Sequence, residues 1–276
     1  MKTLETYFKN RKHSLNLILE KAPSSYTAKT FHELRVEIKK LKALFELVAF
    51  CNKKFKMQKL LKPFRIIFKQ AGKIRELQLE QSLLKEQPNF NLVKKYHNRL
   101  IKLETKGVKK FFSIADKHFI KKLKKNYPKI IHFLAKTNKK KVNRYRNKIT
   151  KEIKNLIHKN AFKKNQMHDF RKRLKVYQHN ENIFPANQSI KLIPDKTFLS
   201  DMLGEWHDYE VVILHLKKTI PSFKTNSSER THLKSIKAIV ISKRELLFHK
   251  INTTLPSECR CRKKKRHLQE SLEKSG

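Results

Sequence analysis

The chain has 276 residues, with 67 Lys and Arg against 23 Asp and Glu, for a formal net charge of +44. Hydrophobic residues make up 38% and aromatics 9%, with 18 Phe, which is enough for a core and too much for a disordered basic tail. The four glycines stand apart from one another, which excludes a glycine-rich dinucleotide turn and a phosphate loop, and with eight prolines they argue against a turn-rich β architecture. These numbers predict an all-α, strongly basic protein.

In chain order, Leu4 to Glu20 reads as a first helix, closed by the Pro23-Ser24-Ser25 break. Lys29 to Asn52 is the clearest element. Leu34, Ile38, Leu41, Leu44, Phe45 and Val48 fall on one stripe, and His32, Arg35, Lys39 and Lys42 on the other side. Thr30 reads as its N-cap, with Glu33 as the capping-box partner. Lys62 to Lys85 follows, with Phe64, Ile67, Phe68, Ile74 and Leu77 apolar, and ends before Pro88. One long helix is read from Leu92 to Lys125, stopping before Pro128. Then come Lys139 to Asn160, Asn165 to Asn180, Lys196 to Ile220 and Glu229 to Thr253, with Pro185, Pro194, Pro221 and Pro256 as breaks.

Two stretches repeat. HELRVEIKKLK from His32 and HDFRKRLKVYQ from His168 share a His, an Arg three positions on and a Lys seven positions on, 136 residues apart. AGKIRELQLE around Gly72 pairs with LGEWHDYEVV around Gly204, 132 residues apart. Two anchors in one order at almost one offset indicate a duplicated helical unit, with a boundary near Ala135 to Lys140. The reading is residues 1–138 as a first bundle, 139–255 as a second, and 256–276 as a basic, flexible tail.

Like charges one helical turn apart are mutually destabilising, so the repeated cation rows call for an external anion. A phosphate chain fits, because Arg offers a fork and Lys a point charge to its oxygens. Arg65, Lys69, Lys73 and Arg75 extend the first copy's positive wall. Elsewhere, as at Lys109 or Lys124, a charge run reads as a solvated face.

The three cysteines fit a reducing compartment. Cys259, Cys261 and His267 would give only part of a zinc site, and no metal is expected. Glu205, His207, Asp208 and Glu210 form the one local acid–histidine cluster, read as ordinary polar partners on a packed helix marked by Trp206 and Tyr209. With no serine-triad or HExxH pattern, no catalysis and no cofactor are expected. No secretory signal or membrane-spanning run is apparent, so the expectation is a cytoplasmic protein.

His32-x-x-Arg35-Val36-x-x-Lys39-Lys40-x-Lys42 resembles the signature helix of the CHAD family, the conserved histidine α-helical domain, and His168-x-x-Arg171-x-x-x-Lys175 resembles the second signature. The stretches around Gly72 and Gly204 resemble the family's glycine motifs on the following helices. The resemblance spans about residues 5 to 255. It implies two four-helix bundles related by a pseudo-twofold axis, with a basic channel between them, binding inorganic polyphosphate without catalysis and associated with polyphosphate granules. The residues it implies for contact are His32, Arg35, Lys39, Lys42, Arg65, Lys69, Arg75, His168, Arg171 and Lys175.

The sequence departs from that pattern in lysines at 39, 40 and 42, and in Val176 and Gln178 at positions cationic in the first copy. Asp201, Glu205 and Asp208 add acid near Gly204, which tilts the expected surface toward the first half. Nonspecific nucleic-acid binding is the alternative. Against it, the aromatics of the signature helices, such as Phe31, Phe45, Phe170 and Tyr177, fall near the apolar side and leave the cations without stacking platforms.

Overall fold

A computed structural model describes residues 2–157, 164–181, 183, 193 and 195–255. The tail with Cys259, Cys261 and His267, and the breaks at Pro185, Pro194 and Pro256, lie outside the described residues. Within them the chain forms ten α-helices and three short 3₁₀ turns, and no strand. The class is all-α.

The helices are α1 (Lys2–Leu19), α2 (Ala28–Cys51), α3 (Met57–Lys85), α4 (Lys94–Ile114), α5 (Lys117–Lys124), α6 (Tyr127–Ala135), α7 (Lys139–Ile157), α8 (Lys164–Glu181), α9 (Lys196–Thr219) and α10 (Ser228–Thr254). The central element is α2, which packs on α1, α3, α7 and α8. Its apolar stripe from Leu34 to Val48 is buried as the periodicity predicts. Each such Leu or Phe contributes about 1.5–3 kcal/mol by leaving water.

Three local readings change. The N-cap of α2 is Thr27, whose hydroxyl accepts from the Thr30 amide at 3.3 Å while the Thr30 hydroxyl accepts from the Thr27 amide at 3.3 Å. Thr30 is therefore the third helical residue, and Glu33 has no part in the cap. Next, α3 begins five residues before Lys62, and Pro63 lies inside it. Finally, the long helix read to Lys125 breaks after Ile114. There Asp116 accepts from the Phe119 amide at 2.6 Å and restarts the chain as α5. The sequence reading missed α6, where Pro128 sits in the first turn, the position at which its lack of an N–H costs nothing.

The apolar core does not part at residue 138. One cluster joins Leu4, Phe31, Leu41 and Phe64 to Tyr145, Phe170, Leu174 and Trp206. A second joins Leu84, Tyr96 and Leu100 to Val212, Leu216 and Leu233. Both draw on the two proposed repeats, so the faces of α2 and α8 that carry the signatures are held by one continuous packing.

Deep between α3, α4 and α9 lies a polar clamp. Glu80 is fully buried, accepts from the Tyr96 hydroxyl at 2.6 Å and stands 3.1 Å from His215 Nδ1. Glu76 lies 3.6 Å from the other imidazole nitrogen, at ion-pair distance. The carboxylates of Glu76 and Glu80 together hold the imidazole well above its ordinary range, at about 9.

Candidate functional site: a half-buried cation cluster at the α2–α8 crossing

The signature spacing of His, Arg and Lys places these side chains on one side of α2, and the same spacing does so on α8. Where the two helices pack, the rows meet. Lys39 loses affinity for its proton, to about 8, because it is buried and because Arg171, Arg35 and Lys175 crowd it. Arg35 is weakened as an acid-holding base in the same direction by burial, with Glu76 opposing and Arg171 and Arg75 adding to it. Burial also lowers Arg171 and Lys175, with Asp208 and Asp201 opposing. These are mutual effects of neighbouring charges, so both signatures contribute to one cluster.

Arg35 has a built seat. Its guanidinium lies 4.3 Å from the centre of the Phe68 ring, and Nη1 donates to the Phe68 carbonyl at 3.0 Å. Gly72 makes the approach possible, since a Cβ there would stand 2.2 Å from Arg35 Nη1, inside any permitted contact. The glycine of the AGKIRE stretch thus serves the arginine of the preceding helix. Gly204, its counterpart by sequence, has no neighbour within 4 Å of a Cβ position. Arg171 has no such seat, and its Nε is buried without a partner.

Gly72→Ala gains about 1 kcal/mol in helix propensity and loses the Arg35 contacts, worth about the same. Melting should therefore leave Gly72→Ala close to the parent, whereas Gly72→Ala in an Arg35→Ala background should stabilise by about 1 kcal/mol, because the guanidinium is gone. Equal shifts in both backgrounds would mean that Gly72 does not accommodate Arg35.

From α9 come His207 and Asp208, which the sequence reading treated as routine. The His207 ring centre is 5.3 Å from that of His168, and burial together with Arg171 pushes its imidazole down to about 3. Asp208 is raised by burial against the pull of Arg171, Arg75, Lys39 and Arg35. The other two acids of that stretch turn away, Glu205 accepting from Tyr209 at 2.7 Å and Glu210 from Arg244 at 2.6 Å. His179, one turn beyond Lys175, is a further member: burial and Lys175 push it down to about 4, and its Nε2 is buried without a partner. The signal for it was present, since i+4 from Lys175 continues the same helix face.

His32 is lowered by burial and by Arg75, and His168 by burial and by Lys172 and Arg171. Both imidazoles are therefore neutral near pH 7. Among the described residues Arg35, Lys39, Arg75, Arg171 and Lys175 make no ion pair within 4.0 Å. All five are half-buried. A set of half-buried cations that feel Glu76, Asp201 and Asp208 but form no direct pair is an anion receptor in its chemistry.

Three expected members stand apart. Lys42 is 3.6 Å from Glu46 and lines a separate groove with Glu152, Asp169 and Arg173, on the other side of α8. Arg65 and Lys69 are exposed on α3 and make no ion pair among the described residues. No group of three His, Cys, Asp or Glu among the described residues is placed to hold a metal ion. Nor is any described helix long and apolar enough to cross a membrane.

The described architecture superposes on the crystal structure of the CHAD domain from the plant Ricinus communis with a TM-score of 0.72, covering 92% of this chain and 90% of that one. The fold is that of a CHAD domain. PptA from Streptomyces chartreusis has the same arrangement, with a TM-score of 0.67 over 91% of this chain and 98% of its own. Sequence identities are 10% and 8%, so the likeness is one of fold. No family model matches the sequence, and no curated protein matches it. Within this CHAD fold the cation cluster occupies the α2–α8 crossing, with α3 and α9 as its flanks.

Proposed function

We propose that this CHAD-fold protein binds inorganic polyphosphate at the α2–α8 crossing, in a channel between the two halves, and catalyses no reaction on it. The observation that carries the reading is the convergence of Arg35, Lys39, Arg171 and Lys175, half-buried and without ion-pair partners among the described residues. A phosphate chain brings one charge per unit and oxygens for each donor, which relieves the mutual repulsion that depresses Lys39. The aromatics here favour a ligand without bases, because Phe68 is covered by Arg35 and Trp206 is buried. Duplication of a helical unit accounts for one signature on each side of the crossing. The place of action is the cytoplasm, with polyphosphate granules as the setting.

Competition at about 0.3 M salt tests this, because nonspecific phosphate contacts weaken there. Labelled long-chain polyphosphate is challenged with unlabelled polyphosphate, single-stranded RNA and duplex DNA, scored per phosphate. Polyphosphate alone should compete well. Equal competition by the nucleic acids would make the cluster a general polyanion binder.

A further inference from the structure

A second basic site lies at the far end of α2. An opening of about 800 Å³ is framed by the C-terminal end of α2, the end of α6 and the start of α7. Lys53, Lys54, His132, Lys136, Lys141 and Arg144 line it, and no carboxylate does. None of its lysines, nor Arg144, makes an ion pair among the described residues. Lys141 donates from Nζ to the Cys51 carbonyl at 3.1 Å, which satisfies the last turn of α2 and fixes this ammonium at the wall. Beneath it Cys51 is buried, and burial raises its thiol to about 11, so it remains a protonated floor.

The central cluster lacks what this opening adds. Phe50 and Phe133 are both in its wall. Phe50 is 40% exposed and is held by the Tyr145 ring 5.3 Å away, with the ammonium of Lys148, a long exposed side chain that a base can displace, 5.5 Å from its ring centre. Phe133 is braced edge-on by Phe55 at 5.4 Å. Cations alone would accept any phosphate chain, but ring walls add affinity only for a ligand with a planar aromatic group. The volume lies in the range of small-molecule pockets. From Lys39 to Cys51 the helix rises by about 18 Å, so the opening is separate from the central cluster.

We propose that this opening is a nucleotide site, taking a nucleoside di- or triphosphate with its phosphates on Lys53, Lys54, Lys136, Lys141 and Arg144 and its base against Phe50 and Phe133. The proposal stands independently of polyphosphate binding at the α2–α8 crossing.

Calorimetric titration with ATP and with inorganic tripolyphosphate tests it, in the full chain and in an Arg35→Ala, Arg171→Ala background that disables the central cluster. In that background ATP still binds. Phe50→Ala then weakens ATP about tenfold and tripolyphosphate by less than about twofold, because only ATP loses a stacking partner. Lys136→Glu with Arg144→Glu, both at exposed positions, abolishes binding of the two ligands alike. If Phe50→Ala lowers the melting temperature, Phe50→Leu keeps the apolar volume without the ring and gives the same comparison. Loss of ATP binding in the Arg35→Ala, Arg171→Ala background would assign the nucleotide to the central cluster and overturn the proposal. So would equal effects of the Phe50 changes on ATP and tripolyphosphate.

Discussion

If polyphosphate binds at the α2–α8 crossing as proposed, replacing Arg35 and Arg171 together with alanine should lower affinity for the long chain by about 100-fold or more at about 0.3 M salt. The estimate rests on two charge-assisted hydrogen-bonding groups at about 1.5–3 kcal/mol each, with every 1.4 kcal/mol worth a factor of ten. The matched control removes the same charge from a solvated face, as Lys109→Ala with Lys110→Ala on α4, both exposed. That pair should cost no more than about threefold, since counterion release at the surface is already weakened by salt. Equal losses from the two pairs would mean diffuse charge in place of a channel. Both arginines are half-buried cations without ion pairs, so their removal relieves repulsion and the double variant should fold, as far-UV circular dichroism checks.

Much of this arrangement was legible in the chain because it follows from helical period. The stripe Leu34, Ile38, Leu41, Leu44, Phe45 and Val48 is buried, and Arg35 and Lys39 of the cation row lie where α2 meets Arg171 and Lys175 of α8. The same arithmetic placed Lys42 with them, yet Lys42 lines another groove, beside Glu46 and with Asp169 and Arg173 of α8. Period fixes a face, and the crossing decides which turn of that face is shared.

What was illegible lies between elements. Gly72 read as a motif residue, but its role depends on Arg35 reaching across to Phe68, a contact 33 residues away in sequence. His207 and Asp208 sit on a helix whose apolar marks are strong, and only the packing of α9 beside α8 sets them among the arginines. The α4–α5 break was missed because Phe111, Phe112, Phe119 and Ile120 keep a helical rhythm across Asp116, whose side chain starts the new helix. A local cap overrode a continuous pattern.

His215→Ala should lower the melting temperature by roughly 5–10 °C near pH 6.5, the expected size for about 2–3 kcal/mol in a chain of this length. The loss is large because Glu80, fully buried, keeps only the Tyr96 hydroxyl as partner once the imidazole is removed. Its pH dependence identifies the cause. The folded imidazole keeps its proton to about pH 9, whereas the unfolded one releases it near 6.5. Between these values the unfolded state binds fewer protons, so the clamp's stabilisation is complete below about pH 6.5 and is lost as pH rises through 9. Other groups titrate across the same range in the opposite sense. His32, His97, His168, His179 and His207, all held below the ordinary imidazole value, cost stability as pH falls through the unfolded value near 6.5. Lys39, released at about 8 when folded, adds stability as pH rises beyond that value. These groups are common to the parent and to His215→Ala, so the gap between the two melting temperatures isolates His215. That gap should be widest near pH 6.5 and should narrow as pH rises toward 9. A gap that does not change with pH would remove His215 as the source. Glu76 also acts on Arg35 through its charge, so the clamp that joins α9 to α3 is coupled to the arginine cluster beside it.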